Sequence, residues 1–225
     1  MNVICPEHVK TIHLDPEWRA EVTVRQKLVF LDARQRGSVR DTCEVEAGAE
    51  ADSFTWRSDD ATETGRRKKG RTTVVVDWKP RTSPVPFALY EHQYTWNPKG
   101  AAAAPALSTE LCCGMKTGLF QCEIVAQNEF EAAVVFERPR WPLLNTERKL
   151  IRYALKQMDA SSERPTIGDG GRHIEWKLVG PKVGARFILV VFRRHGVAVW
   201  QDQLQKSTLF GRARQFLGRL TSSAH

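Results

Sequence analysis

Apolar and polar residues alternate one for one along most of the first 140 residues, and this period limits what the chain can form. Between 21 and 31, Val22, Val24, Leu28 and Phe30 alternate with Thr23, Arg25 and Lys27. The pattern breaks once, at Gln26. Side chains of a strand point to opposite faces in turn, so this is the signature of a half-buried strand. Val39, Cys43 and Val45 alternate with Arg40, Thr42, Glu44 and Glu46, and Phe54 and Trp56 with Thr55 and Arg57. Segment 72–78 is rich in β-branched residues. Segment 87–96 sets Tyr90, His92, Tyr94 and Trp96 on one face and Phe87 and Leu89 on the other. Further strands are expected over 107–113, 118–126 and 131–136. About eight short strands separated by turn signals predict a mainly β fold, an antiparallel β-sandwich or barrel.

Two connections interrupt the series. Segment 58–71 (SDDATETGRRKKGR) holds no apolar residue larger than alanine and is expected to be a solvated loop. Segment 97–106 is a second expected loop, because its four alanines are too few for a stable helix. At Pro139 the period changes. Asn145 is placed to cap a helix running to Met158, with Leu150, Ile151, Ala154, Leu155 and Met158 on one face. Strands over 173–179 and 185–192 are expected to pair as a hairpin through 180–184. A final amphipathic helix is expected over 198–220. The division implied is a β-sandwich-like domain over 1–140 and a smaller α+β part, helix–hairpin–helix, over 141–225.

Charge follows the same division. The chain carries a net charge of +8. Residues 138–225 hold 17 basic against 6 acidic residues, a net of +11, and the first 137 hold 17 against 20, a net of −3. The basic part is therefore expected to meet something acidic. Lys206, Arg212, Arg214 and Arg219 on the last helix are the expected contacts to an anionic partner. A protein partner is the first expectation. Nucleic acid and an anionic membrane surface are the alternatives, since net charge does not distinguish one anion from another.

Motifs for chemistry are sparse. The chain has no GxGxxG, Walker A, GxSxG or HExxH sequence. No cofactor and no metal site is expected. Lys116-Thr117-Gly118 and Gly168-Asp169-Gly170-Gly171 read as turns. The five cysteines, Cys5, Cys43, Cys112, Cys113 and Cys122, are odd in number and lack CxxC spacing. With no apolar leader at the N-terminus, this favours a reducing cytoplasm. The seven tryptophans are spread at one per strand or junction, which suits core packing better than a base-stacking platform. The candidate catalytic group is His92, between Tyr90 and Tyr94, with Cys112 or Cys113 as a thiol for it to activate.

The stretch Ile174-Glu175-Trp176 with Gly180-Pro181-Lys182-Val183-Gly184-Ala185-Arg186-Phe187 resembles a hairpin in β-rich accessory modules of bacterial signalling and defence proteins. The resemblance implies an accessory role beside an effector and carries no functional residue with it. Taken together, the expectation is a non-catalytic protein–protein interaction module, an adaptor or regulator. A nucleic-acid-binding protein using the basic C-terminal part is the second reading. The third is an enzyme whose Cys/His site assembles only in three dimensions.

Overall fold

In the computed structural model the described residues form thirteen strands in three sheets. Described are residues 3–31, 39–45, 49, 53–69, 73–80, 87–97, 104–138, 147–158 and 164–204. The strands are β1 (Val3–Leu14), β2 (Ala20–Phe30), β3 (Val39–Glu44), β4 (Thr55–Ser58), β5 (Ala61–Lys68), β6 (Thr73–Pro80) and β7 (Phe87–Trp96). They continue with β8 (Ala106–Cys112), β9 (Thr117–Ala126), β10 (Phe130–Glu137), β11 (Thr166–Gly168), β12 (His173–Val179) and β13 (Arg186–Arg193). Helix α1 is Glu147–Gln157, and a second helix, α2, covers 196–204.

The largest sheet has seven strands in the order β11-β12-β9-β1-β2-β7-β4. Two three-stranded sheets, β10-β13-β8 and β3-β6-β5, face it. All three are open, so the architecture is a sandwich and not a closed barrel. Among the described strands the pairings are antiparallel except one: β1 runs parallel to β9. Alternation is read out as burial. In β2, Val22, Val24, Leu28 and Phe30 are buried while Glu21, Arg25 and Lys27 face solvent.

A single core fills the space between the large sheet and the two small ones. The stacked rings of Trp56 and Trp78, with centroids 6.1 Å apart, join the edge of the large sheet to β6. Tyr90 and Phe30 pack on the same pair. The six described tryptophans are all buried. The sheet β10-β13-β8 is covered on its other face too, where Phe136, Val190 and Phe192 pack on Ile151 and Ala154 of α1 and Trp200 of α2. Two buried faces explain why β13 (RFILVVFR) is a continuous apolar run and not an alternating one. The Glu131 carboxylate accepts the N–H groups of His195 and Val197, at 2.7 and 2.6 Å, and so satisfies the start of α2.

Two expectations are corrected. Segment 58–71 is not a loop: β5 lies within it and pairs with β6. The strand needs little apolar surface of its own because Val74, Val76 and Trp78 of β6 supply the burial. Arg66 holds the edge instead. It donates to Glu63 at 2.8 and 2.6 Å and to the Phe54 carbonyl at 2.6 Å, and it sits 5.1 Å over the Phe54 ring.

Strands β12 and β13 do not form a hairpin. β12 pairs with β9 and β11 in the large sheet, whereas β13 lies between β10 and β8. Their connection is an arch from one sheet to the other. Gly180 and Gly184, both at positive φ (61° and 81°), donate to the carbonyls of Gly118 and Cys113, each at 2.7 Å. This ties the arch to the β8–β9 turn. Trp176 and Phe187 then meet across the core with ring centroids 5.3 Å apart.

Strand β1, in a segment for which no element was expected, lies at the centre of the large sheet. Helix α1 matches its expected span and apolar face, and its expected cap Asn145 lies outside the described residues. So do most of the 97–106 segment and the part of the last expected helix beyond 204.

Candidate functional site

The inner face of the large sheet is apolar except at its middle. After a register shift between Ile4 and Glu7, β1 turns His8, Lys10, Ile12 and Leu14 inward. His8 stands opposite Gln26 of β2 on one side and Phe120 of β9 on the other. Gln26 in turn stands opposite Tyr90 of β7. In the next row Lys10 is opposite Val24, Val24 is opposite His92, and His92 is opposite Trp56. The break in alternation at Gln26 is therefore an inward polar residue that belongs to a polar row.

These side chains are joined. The Tyr90 hydroxyl donates to Gln26 Oε1, and Gln26 Nε2 lies 3.2 Å from His8 Nδ1. An amide nitrogen has only protons to offer, so Nδ1 accepts and the imidazole proton is on Nε2. The His8 ring packs on Phe120 at 4.5 Å. Lys10, 6% exposed, donates from Nζ to Thr109 Oγ1 at 3.1 Å and to the Glu110 carbonyl at 3.3 Å, both on β8 across the core. Lys10 thus bridges the two layers.

His92 is 3% exposed and stacked between Phe54, at 5.5 Å, and Tyr94, at 6.2 Å. Among the described residues neither of its ring nitrogens has a hydrogen-bond partner. Burial first, then the neighbouring His8 and Lys10, push its pKa down to about 3. Burial and then the Lys10 charge bring His8 down to about 3 as well. Both imidazoles are neutral at physiological pH.

A cavity of about 400 Å³ adjoins this row. His8, Lys10, Gln26, His92, Cys43 and Cys112 are among its lining residues. Of the three candidates, His92 and Cys112 are thus brought to one cavity. Cys113 is not among the residues around it; its thiol is pushed up to about 12 by burial, and then by Cys112 and Cys5. Burial holds the His92 imidazole well below its ordinary range, which makes it a weak base toward a neighbouring thiol. Among the described residues no group of three or more His, Cys, Asp or Glu is arranged to hold a metal ion.

The opposite, outward face of the large sheet is polar. Glu91, 8% exposed, sits between Arg25, at 3.2 Å, and Arg57, and accepts from Gln93 at 3.0 Å. Gln121 donates to Glu175 at 3.1 Å, and Lys177 pairs with Glu175 at 2.8 Å. A trough of about 600 Å³, lined by His13, Arg19, Glu21, Thr55, Gln93 and others, lies along the same sheet. Of the expected contacts to an anionic partner, Lys206, Arg212, Arg214 and Arg219 all lie outside the described residues.

His8, Lys10 and Gln26 are the site residues that sequence reading missed. The signal for Gln26 was present, as the one interruption of the β2 pattern. For His8 and Lys10 it was masked by the bulge, which shifts the inward parity within β1.

No family model matches the chain, and no curated protein matches it. Among solved structures it is similar to a putative protease from Parabacteroides distasonis, at 12% identity and a TM-score of 0.44, over 84% of this chain and 40% of that one. It is also similar to leukotriene A4 hydrolase from Saccharomyces cerevisiae, at 8% identity and a TM-score of 0.42, over 84% of this chain and 29% of that one. An M1 zinc metallopeptidase from Deinococcus radiodurans matches at 8% identity and a TM-score of 0.35, over 83% of this chain and 42% of that one. The chain spans less than half the length of each of these proteins. At such values the likeness assigns no family.

Proposed function

We propose that the protein is a non-catalytic protein–protein interaction module, an adaptor or regulator within a larger complex. The observation that carries this reading is the outward face of the seven-stranded sheet. Helices cover the far side of the β10-β13-β8 sheet, but the outward face of the large sheet bears exposed Glu7, His13, Glu21, Arg25, Lys27 and Arg57. Its charges are already organised around Glu91, so a partner meets a fixed pattern and not a set of loose side chains. The two imidazoles of the inner row, His8 and His92, are held neutral by burial, which further favours recognition over turnover.

The test is cross-linking of the chain in the cells that make it, followed by purification and mapping of the linked residues. One discrete partner at fixed stoichiometry, linked to this face and lost when Arg25 and Arg57 are both changed to Glu, supports the reading. A chain that purifies alone and hydrolyses peptide or ester substrates, with the activity lost in His92→Phe, overturns it.

A further inference from the structure

Single apolar side chains scattered over a surface are ordinary, but here they gather. Of the eight large apolar side chains exposed among the described residues, five lie at one end of the seven-stranded sheet: Leu31, Phe87, Leu89, Val179 and Val183. The pairings fix this end. β1 and β9 both start there, with Cys5 opposite Thr117, and β7 starts there with Phe87 opposite Val29. β2 ends there with Phe30 opposite Val3, and β12 ends there with Val179 opposite Leu119. Leu31 follows β2, and Val183 belongs to the arch that follows β12. The barest of the five are Val179, 81% exposed, and Val183, 62% exposed.

The backbone that presents these two valines is fixed. The arch is tied to the β8–β9 turn by the N–H groups of Gly180 and Gly184 on the carbonyls of Gly118 and Cys113. Two turns therefore stand side by side, and little freedom is lost when they make a contact. Their charge has one sign: segments 113–119 and 179–186 carry Lys116, Lys182 and Arg186 and no acidic residue. Lys116 and Lys182 are exposed. Further along the same end, Lys27 lies 5.4 Å over the exposed Phe87 ring. Glu7, opposite Leu119 and Lys27, and Asp59, just after β4, are acidic residues away from the arch.

We propose that this end of the molecule docks on an anionic lipid bilayer, with Val179 and Val183 entering the interface and Lys116 and Lys182 held at the headgroups. Aliphatic tips beside lysines suit a surface that is apolar beneath and negative above. A bilayer is favoured over a folded partner because the arch carries no aromatic anchor, whereas protein interfaces are broad and enriched in aromatic residues and arginine. The proposal does not rest on the partner reading above, which concerns the sheet face around Arg25 and Arg57.

The experiment floats the whole chain with vesicles of phosphatidylcholine alone and with vesicles containing about 30% phosphatidylserine. The chain is expected to bind the anionic vesicles about tenfold better, and less well at high salt. Val179→Ser with Val183→Ser leaves the charge unchanged and is expected to weaken that binding by about tenfold. Lys116→Gln with Lys182→Gln is expected to weaken it by about tenfold on anionic vesicles. In the unaltered chain, nitroxide-labelled lipid is expected to broaden the methyl NMR signals of Val179 and Val183. Val125 and Ile167, exposed at the opposite end of the sheet, should keep theirs. This comparison needs no variant, so it decides the matter even if a substituted chain does not fold. A chain that stays off anionic vesicles at low salt overturns the proposal. So does binding that ignores the loss of both valines, or lipid that broadens Val125 as strongly as Val179, since either shows adsorption through another basic surface.

Discussion

A neutral imidazole inside a protein is a pH-dependent element of stability, and His92 makes its direction plain. In the folded chain it binds a proton only near pH 3, whereas the unfolded chain binds one below about 6.5. Between these values the unfolded state holds more protons, so stability is fully present above 6.5 and is lost as the pH falls toward 3. The loss at His92 is on the order of 3 kcal/mol by pH 4. His8 adds a loss of the same sign. Urea unfolding should show a midpoint that falls over this range, and His92→Phe should flatten the fall. A midpoint as high at pH 4 as at pH 7 would refute the neutral state. Gly196 offers a second test at this scale. Alanine normally favours a helix over glycine, yet a Cβ at Gly196 would lie 2.2 Å from the Pro105 carbonyl oxygen. Gly196→Ala should therefore destabilise by about 1–3 kcal/mol in chemical denaturation. Single residues were unevenly legible in the sequence. Val22 and Val24 announce their burial by alternation, while His8 and Lys10 read as surface residues because nothing local encodes the Thr109 and Glu110 groups that receive Lys10 from β8.

Among elements, the strands that alternate were readable and the connections between sheets were not. The sequence pattern of β12 and β13 is that of two strands separated by a glycine-bounded turn, and a hairpin and an arch both satisfy it. The choice rests on remote partners: β9 offers an edge to β12, and β8 and β10 leave a slot for the doubly buried β13. The arch makes a specific demand, since Trp176 and Phe187 must touch across the core. Either residue changed to Ala should cost about 3–5 kcal/mol. A double-mutant cycle between them should give a coupling of about 1 kcal/mol. A coupling of zero would place the rings apart and contradict the arch. Strand β5 shows the opposite misreading, where a segment without apolar residues is still a strand because β6 provides the buried face. Arg66→Ala, which removes the Phe54 carbonyl bond and the ring contact together, should lower stability by about 1–2 kcal/mol. Amide exchange should then rise along 61–68, where the ladder to β6 is released.

For the whole molecule, the layering follows from which faces are apolar. The large sheet has one apolar face and makes a half-exposed wall; the β10-β13-β8 sheet has two and becomes the middle layer beneath α1 and α2. The mainly β class was legible because one period governs so much of the chain. The polar row was not, because it is assembled from β1, β2, β7 and β8, whose residues lie as far apart as Lys10 and Thr109. That arrangement holds two neutral imidazoles beside the Lys10 charge inside the sandwich, with the charged network around Glu91 on its outer face. The most direct test is an NMR titration of the His8 and His92 imidazoles in the folded chain. Both face Lys10 within one cavity, with Phe120 and Gln26 against His8 and Phe54 and Tyr94 against His92. Neither should titrate between pH 8 and the onset of acid unfolding, with His8 held as the Nε2–H tautomer throughout. Titration of either ring near its ordinary value of 6.5 would show a solvated base at the centre of the sandwich, and would contradict the account.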